Sequence, residues 1–124
     1  MKKTEITKLI KVMKKLRDPI NGCPWDKKQT MESIIPHTIE EVYEVAEQVY
    51  SRNYDKLKDE LGDLLFQVIY LSQIASEKNK FNFNDVVKNI KEKMIFRHPH
   101  VFKNTKFKNI KEFKLWWEKS KNKE

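Results

Sequence analysis

Several residue types that shape other protein classes are scarce in this chain of 124 residues, which has one cysteine, two glycines and four prolines. Cys23 alone cannot form an intramolecular disulfide or supply the paired thiols of a zinc site, which points to a reducing compartment. So little glycine and proline disfavours a strand-and-turn architecture, whereas the plentiful Lys, Glu, Leu, Ile and Val favour helices. We therefore predict an all-α fold.

Long apolar segments are missing too. No run of eighteen apolar residues occurs, and the N-terminus lacks the apolar core and small-residue cleavage site of a secretory signal. From this we expect a cytoplasmic protein that does not enter a membrane. The length fits one domain over residues 1–124, small enough that pairing with a second copy would add to its buried core.

The formal net charge of +8 conceals a strong segregation, because acidic residues outnumber basic ones eight to three between Thr38 and Asp63. The remaining lysines are scattered over both termini without an arginine cluster. A solvated lysine-rich surface and a polyanionic small ligand both explain this pattern. Nucleic acid is an unlikely partner, because recognised motifs and a basic face interleaved with aromatic residues are missing.

Apolar periodicity indicates where the helices lie. Thr38 is a candidate N-cap, with Glu41 at the capping-box position of the same helix. Pro36 should separate this helix from at most one helical turn before it. Residues 98–102 predict a turn. The predicted helices span approximately residues 4–16, 38–52, 54–78, 84–97 and 109–121.

Two consecutive helices each carry a pair of carboxylates three residues apart, Glu41 with Glu44 and Glu60 with Asp63. At this spacing the two members of a pair share one face of a helix. Glu60 also falls within the edge of an apolar arc, where a charge needs a partner. Four such groups facing each other repel strongly, so a cation is expected between them, although E-x-x-E alone is more typical of a solvated face.

The apolar arcs of the same two helices are expected to face the core. On the third helix the stretch 64–71 is apolar nearly all round, which indicates burial on more than one face and hence a subunit interface. Gly62 lies mid-helix, where glycine costs about 1 kcal/mol relative to alanine. This is consistent with a close backbone approach at that position.

Three further side chains are candidates for ligand contact, each with a simpler alternative. Trp25 lies in a proline-containing loop and either packs on the helices or stacks on a nucleobase. Lys93 and Arg97 are four residues apart on one helix face, where they either bind phosphate or complement the helix C-terminus. The two histidines that flank Pro99 lack the E-x-x-H spacing of carboxylate-bridged di-iron bundles, which disfavours that class.

Six ordered stretches together resemble the MazG family of nucleoside triphosphate pyrophosphohydrolases, and the likeness covers nearly the whole chain. The pattern E-E-x-x-E followed by E-x-x-D matches the metal motif of that family. The stretches are G-C-P-W-D-K-K-Q-T at 22–30, E-E-V-Y-E at 40–44, E-L-G-D-L-L-F at 60–66, F-N-F-N-D at 81–85, R-H-P-H-V-F at 97–102 and a terminal W-W-E-K-S-K.

The resemblance implies an all-α pyrophosphatase bundle, at least dimeric, that converts NTPs or dNTPs to monophosphates and pyrophosphate. The cofactor would be Mg²⁺, with Mn²⁺ as a possible substitute, and clearing altered nucleotides from the cell's pool is a possible role. Position by position, the implied metal ligands are Glu41, Glu44, Glu60 and Asp63.

The resemblance also implies further site residues. Glu40, next to Glu41, would either support the metal ligands from behind them or act with Glu41 in catalysis, as the base that orients water. Lys93 and Arg97 would contact phosphate, with Lys56 as a further contact, and Trp25 would bind substrate. The alternative is a catalytically weak nucleotide-sensing module, because C-P-W-D and H-P-H-V-F look most like the first of two tandem domains, which is the weaker one in some members.

Overall fold

The computed structural model describes residues 3–122, and all helices and turns within that range fit the predicted all-α class. The helices are α1 (Glu5–Leu16), α2 (Met31–Ser51), α3 (Tyr54–Glu77), α4 (Phe83–Arg97), α5 (Pro99–Phe102) and α6 (Ile110–Lys121), with a 3₁₀ turn at Asp26–Lys28. Among these described helices none is long and apolar enough to cross a membrane.

The chain divides into two compact units at Phe83 and Asn84. The first unit contains α1, α2 and α3, and the second contains most of α4 together with α5 and α6. The prediction of a single domain stays a prediction.

The core of the first unit lies where α2 begins and α3 ends. Its most buried apolar side chains are Met13 of α1, Ile34 of α2, and Ile69, Tyr70 and Ile74 of α3. A shell of partly buried residues, including Leu9, Ile10, Met31, Phe66 and Leu71, packs against them. This apolar core fixes the near end of the α2–α3 pair and leaves its middle turns for polar side chains.

Helix α2 starts earlier than predicted. Thr30 caps it in a capping box with Ser33, and Pro36 lies inside the helix. The Thr38 hydroxyl donates to the Ile34 carbonyl at 3.2 Å, so Thr38 is an interior residue and the predicted start at 38 is wrong. The physical reason is that Pro36 removes only one N–H donor near the start of the helix, while burial of Ile34 and the capping box favour the helix.

A tight connection joins α2 to α3. Arg52 adopts a left-handed backbone with φ of 57°, and the Asn53 side chain accepts a hydrogen bond from the Lys56 N–H at 3.2 Å. A connection this short makes consecutive helices antiparallel. The middle turns of α2 therefore lie beside the middle turns of α3.

The apolar arc of α3 faces inward in part, with Leu64 and Leu71 half-buried and Ala75 buried, but that of α2 does not face inward as predicted. Instead, both helices expose an apolar surface, which we call the apolar stripe, and its members are 37% to 54% exposed. The reason is that α2 turns its half-buried Glu41, Val45 and Gln48 inward, so that the apolar arc beside them is left exposed. The apolar stripe consists of Ile35, Ile39, Val42 and Val49 of α2 and Leu61, Leu65 and Val68 of α3.

The close backbone approach expected at Gly62 is not found either. A Cβ built at this position meets no heavy atom within 4 Å in the described part of the chain. No close backbone approach within the chain therefore requires glycine there. By contrast, a Cβ at Gly22 would fall on the backbone carbonyl oxygens of Leu16 and Asp18, so the loop that follows α1 does require glycine.

The second unit is held by aromatic rings. The turn predicted at 98–102 forms the short helix α5, which Pro99 can start because the first turn needs no N–H donor from it. The His98 ring bonds the Met94 carbonyl at 2.7 Å. Around it, ring centroids lie 4.6 to 5.9 Å apart in a cluster of His98, His100, Phe107, Phe113 and Trp117.

Candidate metal centre

Three carboxylates meet between the middle turns of α2 and α3. One oxygen from each of Glu41, Glu60 and Asp63 lies within 4.8 Å of the other two. Glu41 and Glu60 are half-buried, whereas Asp63 is exposed. The cluster is therefore partly shielded from water on one side and open on the other.

The electrostatics of this cluster favour a cation. Glu41 Oε1 is buried and has no hydrogen-bond partner within residues 3–122. Burial raises the pKa of Glu41 to about 7, and a hydrogen bond with Glu60 together with repulsion from Glu60, Asp63 and Glu44 adds to the increase. Burial, then repulsion from Asp59 and Glu60, also raises the pKa of Asp63. Ionising all three groups is costly unless positive charge neutralises them.

The residues present fit a metal ion. An oxygen-only set of carboxylates suits hard cations such as Mg²⁺, Ca²⁺ or Mn²⁺ better than metals that prefer nitrogen or sulfur. The unpartnered oxygen of Glu41 is a ready ligand atom. The cluster could thus hold a divalent cation while leaving positions for water or substrate on its open side.

Other predicted residues of α2 and α3 lie around the cluster. Glu44 is half-buried on the same helix as Glu41 and adds to the repulsion felt there, but it lies outside the group of three. Glu40 is exposed next to Glu41. Lys56 is exposed on the first turn of α3, one helical turn before Glu60.

The remaining predicted residues lie elsewhere in the chain. Lys93 and Arg97 are on α4 in the second unit, where the Arg97 guanidinium carbon lies 5.0 Å from the centre of a Trp117 ring. Trp25 belongs to the first unit and is 53% exposed, so it is not a core residue. Its indole contacts the His37 ring edge to face, with centroids 5.9 Å apart.

His37 is a candidate that the sequence interpretation missed. It is exposed on α2, four residues before Glu41. That spacing places it on the face of Glu41 once α2 is known to include both positions. The signal was visible, but a helix predicted to begin at Thr38 left His37 in a connecting segment.

An antiparallel helix pair with a carboxylate cluster in its middle turns defines the class, an all-α protein with a carboxylate cluster that could hold a metal ion. Residues 29–102 match the family model described as the MazG nucleotide pyrophosphohydrolase domain. The match covers more than half of the chain and includes all of α2 and α3. The chain belongs to the MazG family, which confirms the resemblance.

Curated relatives carry names that agree with this family. The chain is 47% identical over 120 residues to an Escherichia coli protein named nucleoside triphosphate pyrophosphohydrolase, covering 97% of this chain and 46% of the relative. It is 51% identical over 94 residues to a Thermotoga maritima protein named nucleoside triphosphate pyrophosphohydrolase/pyrophosphatase MazG, covering 76% of this chain and 36% of the relative. The chain therefore spans less than half the length of these relatives.

A solved structure shares the fold. The crystal structure of a mazG-related protein from Thermotoga maritima superposes with a TM-score of 0.74, covering 93% of this chain and 97% of that one. The sequence identity of this pair is 23%, so the likeness supports the all-α fold alone.

Proposed function

We propose that this chain is a metal-dependent hydrolase that cleaves nucleoside triphosphates between the α and β phosphates. The observation that carries the proposal is the cluster of Glu41, Glu60 and Asp63 between α2 and α3. The relatives' names supply the substrate class. The products would be a nucleoside monophosphate and pyrophosphate, from NTPs or dNTPs.

The metal in this proposal is Mg²⁺, with Mn²⁺ as a substitute. Glu41, Glu60 and Asp63 would hold it, with Glu44 as a fourth ligand. Bound Mg²⁺ would neutralise phosphate charge and lower the pKa of a water molecule. The open side beside exposed Asp63 leaves space for a triphosphate to approach.

Different residues of the chain would serve proton transfer, phosphate binding and base stacking. Exposed Glu40 would orient the attacking water and accept its proton, and Glu41 would take part in catalysis as a metal ligand through its buried Oε1. The water oxygen bonds to the α-phosphorus, and the bond from that phosphorus to the oxygen bridging the α and β phosphates breaks. Lys56 would stabilise negative charge on the phosphates and Trp25 would stack on the base, while Lys93 and Arg97 of the second unit stay predicted phosphate contacts.

Two carboxylate variants test this function. Glu41→Gln and Asp63→Asn keep the shape of each side chain but remove charge, so pyrophosphate release with Mg²⁺ should fall at least about 100-fold. Glu47→Gln, an exposed carboxylate on the same helix, is the matched control and should stay within about twofold. Circular dichroism checks that the variants fold.

Each outcome of that assay has a definite meaning. Full activity in both Glu41→Gln and Asp63→Asn would overturn the metal assignment. If the wild type bound nucleotides with Mg²⁺ but released no monophosphate, the chain would instead be the nucleotide-sensing module considered above.

We also propose that the chain works as a homodimer or higher homo-oligomer. The apolar stripe exposes seven apolar side chains on two adjacent helices. Exposed apolar side chains grouped on helix faces are typical of protein interfaces, and a second copy offers a self-complementary partner. Packing the two helix pairs against each other would bury the stripe in a bundle of four helices.

A further inference from the structure

Trp25 and His37 form an exposed pair of rings on the first unit. Their centroids are 5.9 Å apart and their planes meet at 74°, so the edge of one ring points at the face of the other. More than half of the Trp25 side chain is accessible and His37 is exposed. The pair therefore buries little apolar area and leaves aromatic surface open to a ligand.

The loop that carries Trp25 is anchored by hydrogen bonds from two buried side chains, Arg17 and Tyr70. The Arg17 guanidinium donates to the carbonyl oxygens of Asp26 and Gln29, both at 2.8 Å, and is paired with Glu77. The Tyr70 hydroxyl donates to the Asp26 carbonyl, also at 2.8 Å. Because the residue next to Trp25 is fixed by two buried groups, the indole is positioned before any ligand binds.

The ring pair lies close to the carboxylate cluster along α2. His37 precedes Glu41 by four residues, which places the two side chains on one face about 6 Å apart along the axis. On the neighbouring helix, Gln67 follows Asp63 by the same interval, and its Oε1 lies 3.3 Å from the Thr38 hydroxyl. The His37 ring is thus about one helical turn from Glu41, and the Trp25 ring lies 5.9 Å from His37.

A nucleotide would need different contacts at its two ends. Its phosphates require cations and therefore the metal cluster, whereas its base is a flat aromatic ring with polar edges. A tryptophan face stacks on any base with little discrimination. An imidazole carries one hydrogen-bond donor and one acceptor when neutral, so it can distinguish bases by their edge groups.

We infer that His37 is a specificity-determining residue of the nucleotide site, contacting the edge of the base that stacks on Trp25. This inference rests on the function proposed above. It adds a residue to that site and assigns the two rings different tasks. Trp25 supplies affinity for every base, and His37 supplies the preference among bases.

The test compares kcat/KM for ATP, GTP, CTP and UTP, with Mg²⁺, across the wild type and four variants. In His37→Ala the ratio between the best and the worst base should change by about fivefold or more, because a hydrogen-bonded edge contact is lost. His37→Gln, which keeps a donor and an acceptor, should retain more of the preference. In Trp25→Ala all four values should fall by a similar factor, about tenfold, with the ratio unchanged.

Glu32→Ala is the matched control, since Glu32 is exposed on the first turn of α2 and lies about 140° around the helix from His37. It should alter neither rates nor ratios. If the wild type hydrolyses the nucleotides and His37→Ala keeps base ratios within twofold of the wild-type ratios, the inference about His37 would be overturned. The proposed function would be unaffected by that result. Absence of turnover with all four nucleotides in the wild type would overturn the proposed function and this inference together.

Discussion

At the scale of single residues, Glu41 combines a buried oxygen that has no hydrogen-bond partner in the described residues with three acidic neighbours. Both features favour the protonated carboxyl when no metal is bound. A metal ion reverses this preference, because it binds the ionised form. Glu41 therefore links protonation, metal binding and stability.

This link predicts how the metal-free protein responds to pH. The pKa of Glu41 lies at about 7 in the folded protein, above its ordinary value of 4.5, so the folded state holds more protons than the unfolded state between these values. The contribution of Glu41 to the free energy of unfolding is fully present below pH 4.5 and is lost as the pH rises to about 7. Urea unfolding in a chelator at pH 5 and at pH 8 measures the loss.

Glu41→Gln isolates this contribution. The neutral amide does not titrate, so the variant should lose about 1–2 kcal/mol less stability than the wild type between the two pH values. Mg²⁺ should restore wild-type stability at pH 8 and leave Glu41→Gln nearly unchanged. Equal pH dependence in the two proteins would contradict the assignment, and Glu47→Gln serves as the control.

At the scale of structural elements, the segment from Arg17 to Gln29 depends on a buried tyrosine of α3. Burial and the contact with Asp26 raise the pKa of Tyr70 well above its ordinary value, so its hydroxyl stays protonated and donates to the loop. The loop is thereby fastened to the element that carries Glu60 and Asp63. A fixed loop conformation should therefore affect substrate binding more than the rate of the hydrolysis step.

Tyr70→Phe tests that dependence. Losing the hydrogen bond should cost about 1 kcal/mol of stability and loosen Trp25, raising KM for nucleotides about three- to tenfold with kcat within twofold. Steady-state kinetics and urea unfolding measure the two effects. Tyr50→Phe, whose side chain is 86% exposed, is the matched control. A lowered kcat with unchanged KM would show that the loop does not serve binding.

At the scale of the whole molecule, the apolar stripe predicts the oligomeric state. Light scattering after gel filtration should give at least twice the chain mass of 15.0 kDa. Val42→Lys and Leu65→Lys place a charge inside the stripe and should shift the mass to that of a monomer. Ile110→Lys, an exposed apolar position outside the stripe, should not. A monomeric wild type at micromolar concentration would contradict the proposed interface.

Several features were predictable because they depend on neighbours in sequence. Thr4 caps α1 because its own side chain accepts from the Thr7 N–H. The spacing of Glu60 and Asp63 places both on one side of α3 whatever the helix packs against. The start of α2 was not predictable in this way, since burial of Ile34 beside Tyr70 favours a helix that passes through Pro36.

The sequence by itself determined the helical class, the capping of α1 and the acidic pairs within α2 and α3, because helix periodicity relates residues three and four apart. Only the tertiary structure decided that Glu41 meets Glu60 and Asp63, and that the apolar stripe points outward. The physical reason is that the rotation of one helix against its neighbour is set by the packing of side chains distant in sequence. Local periodicity leaves that angle undetermined.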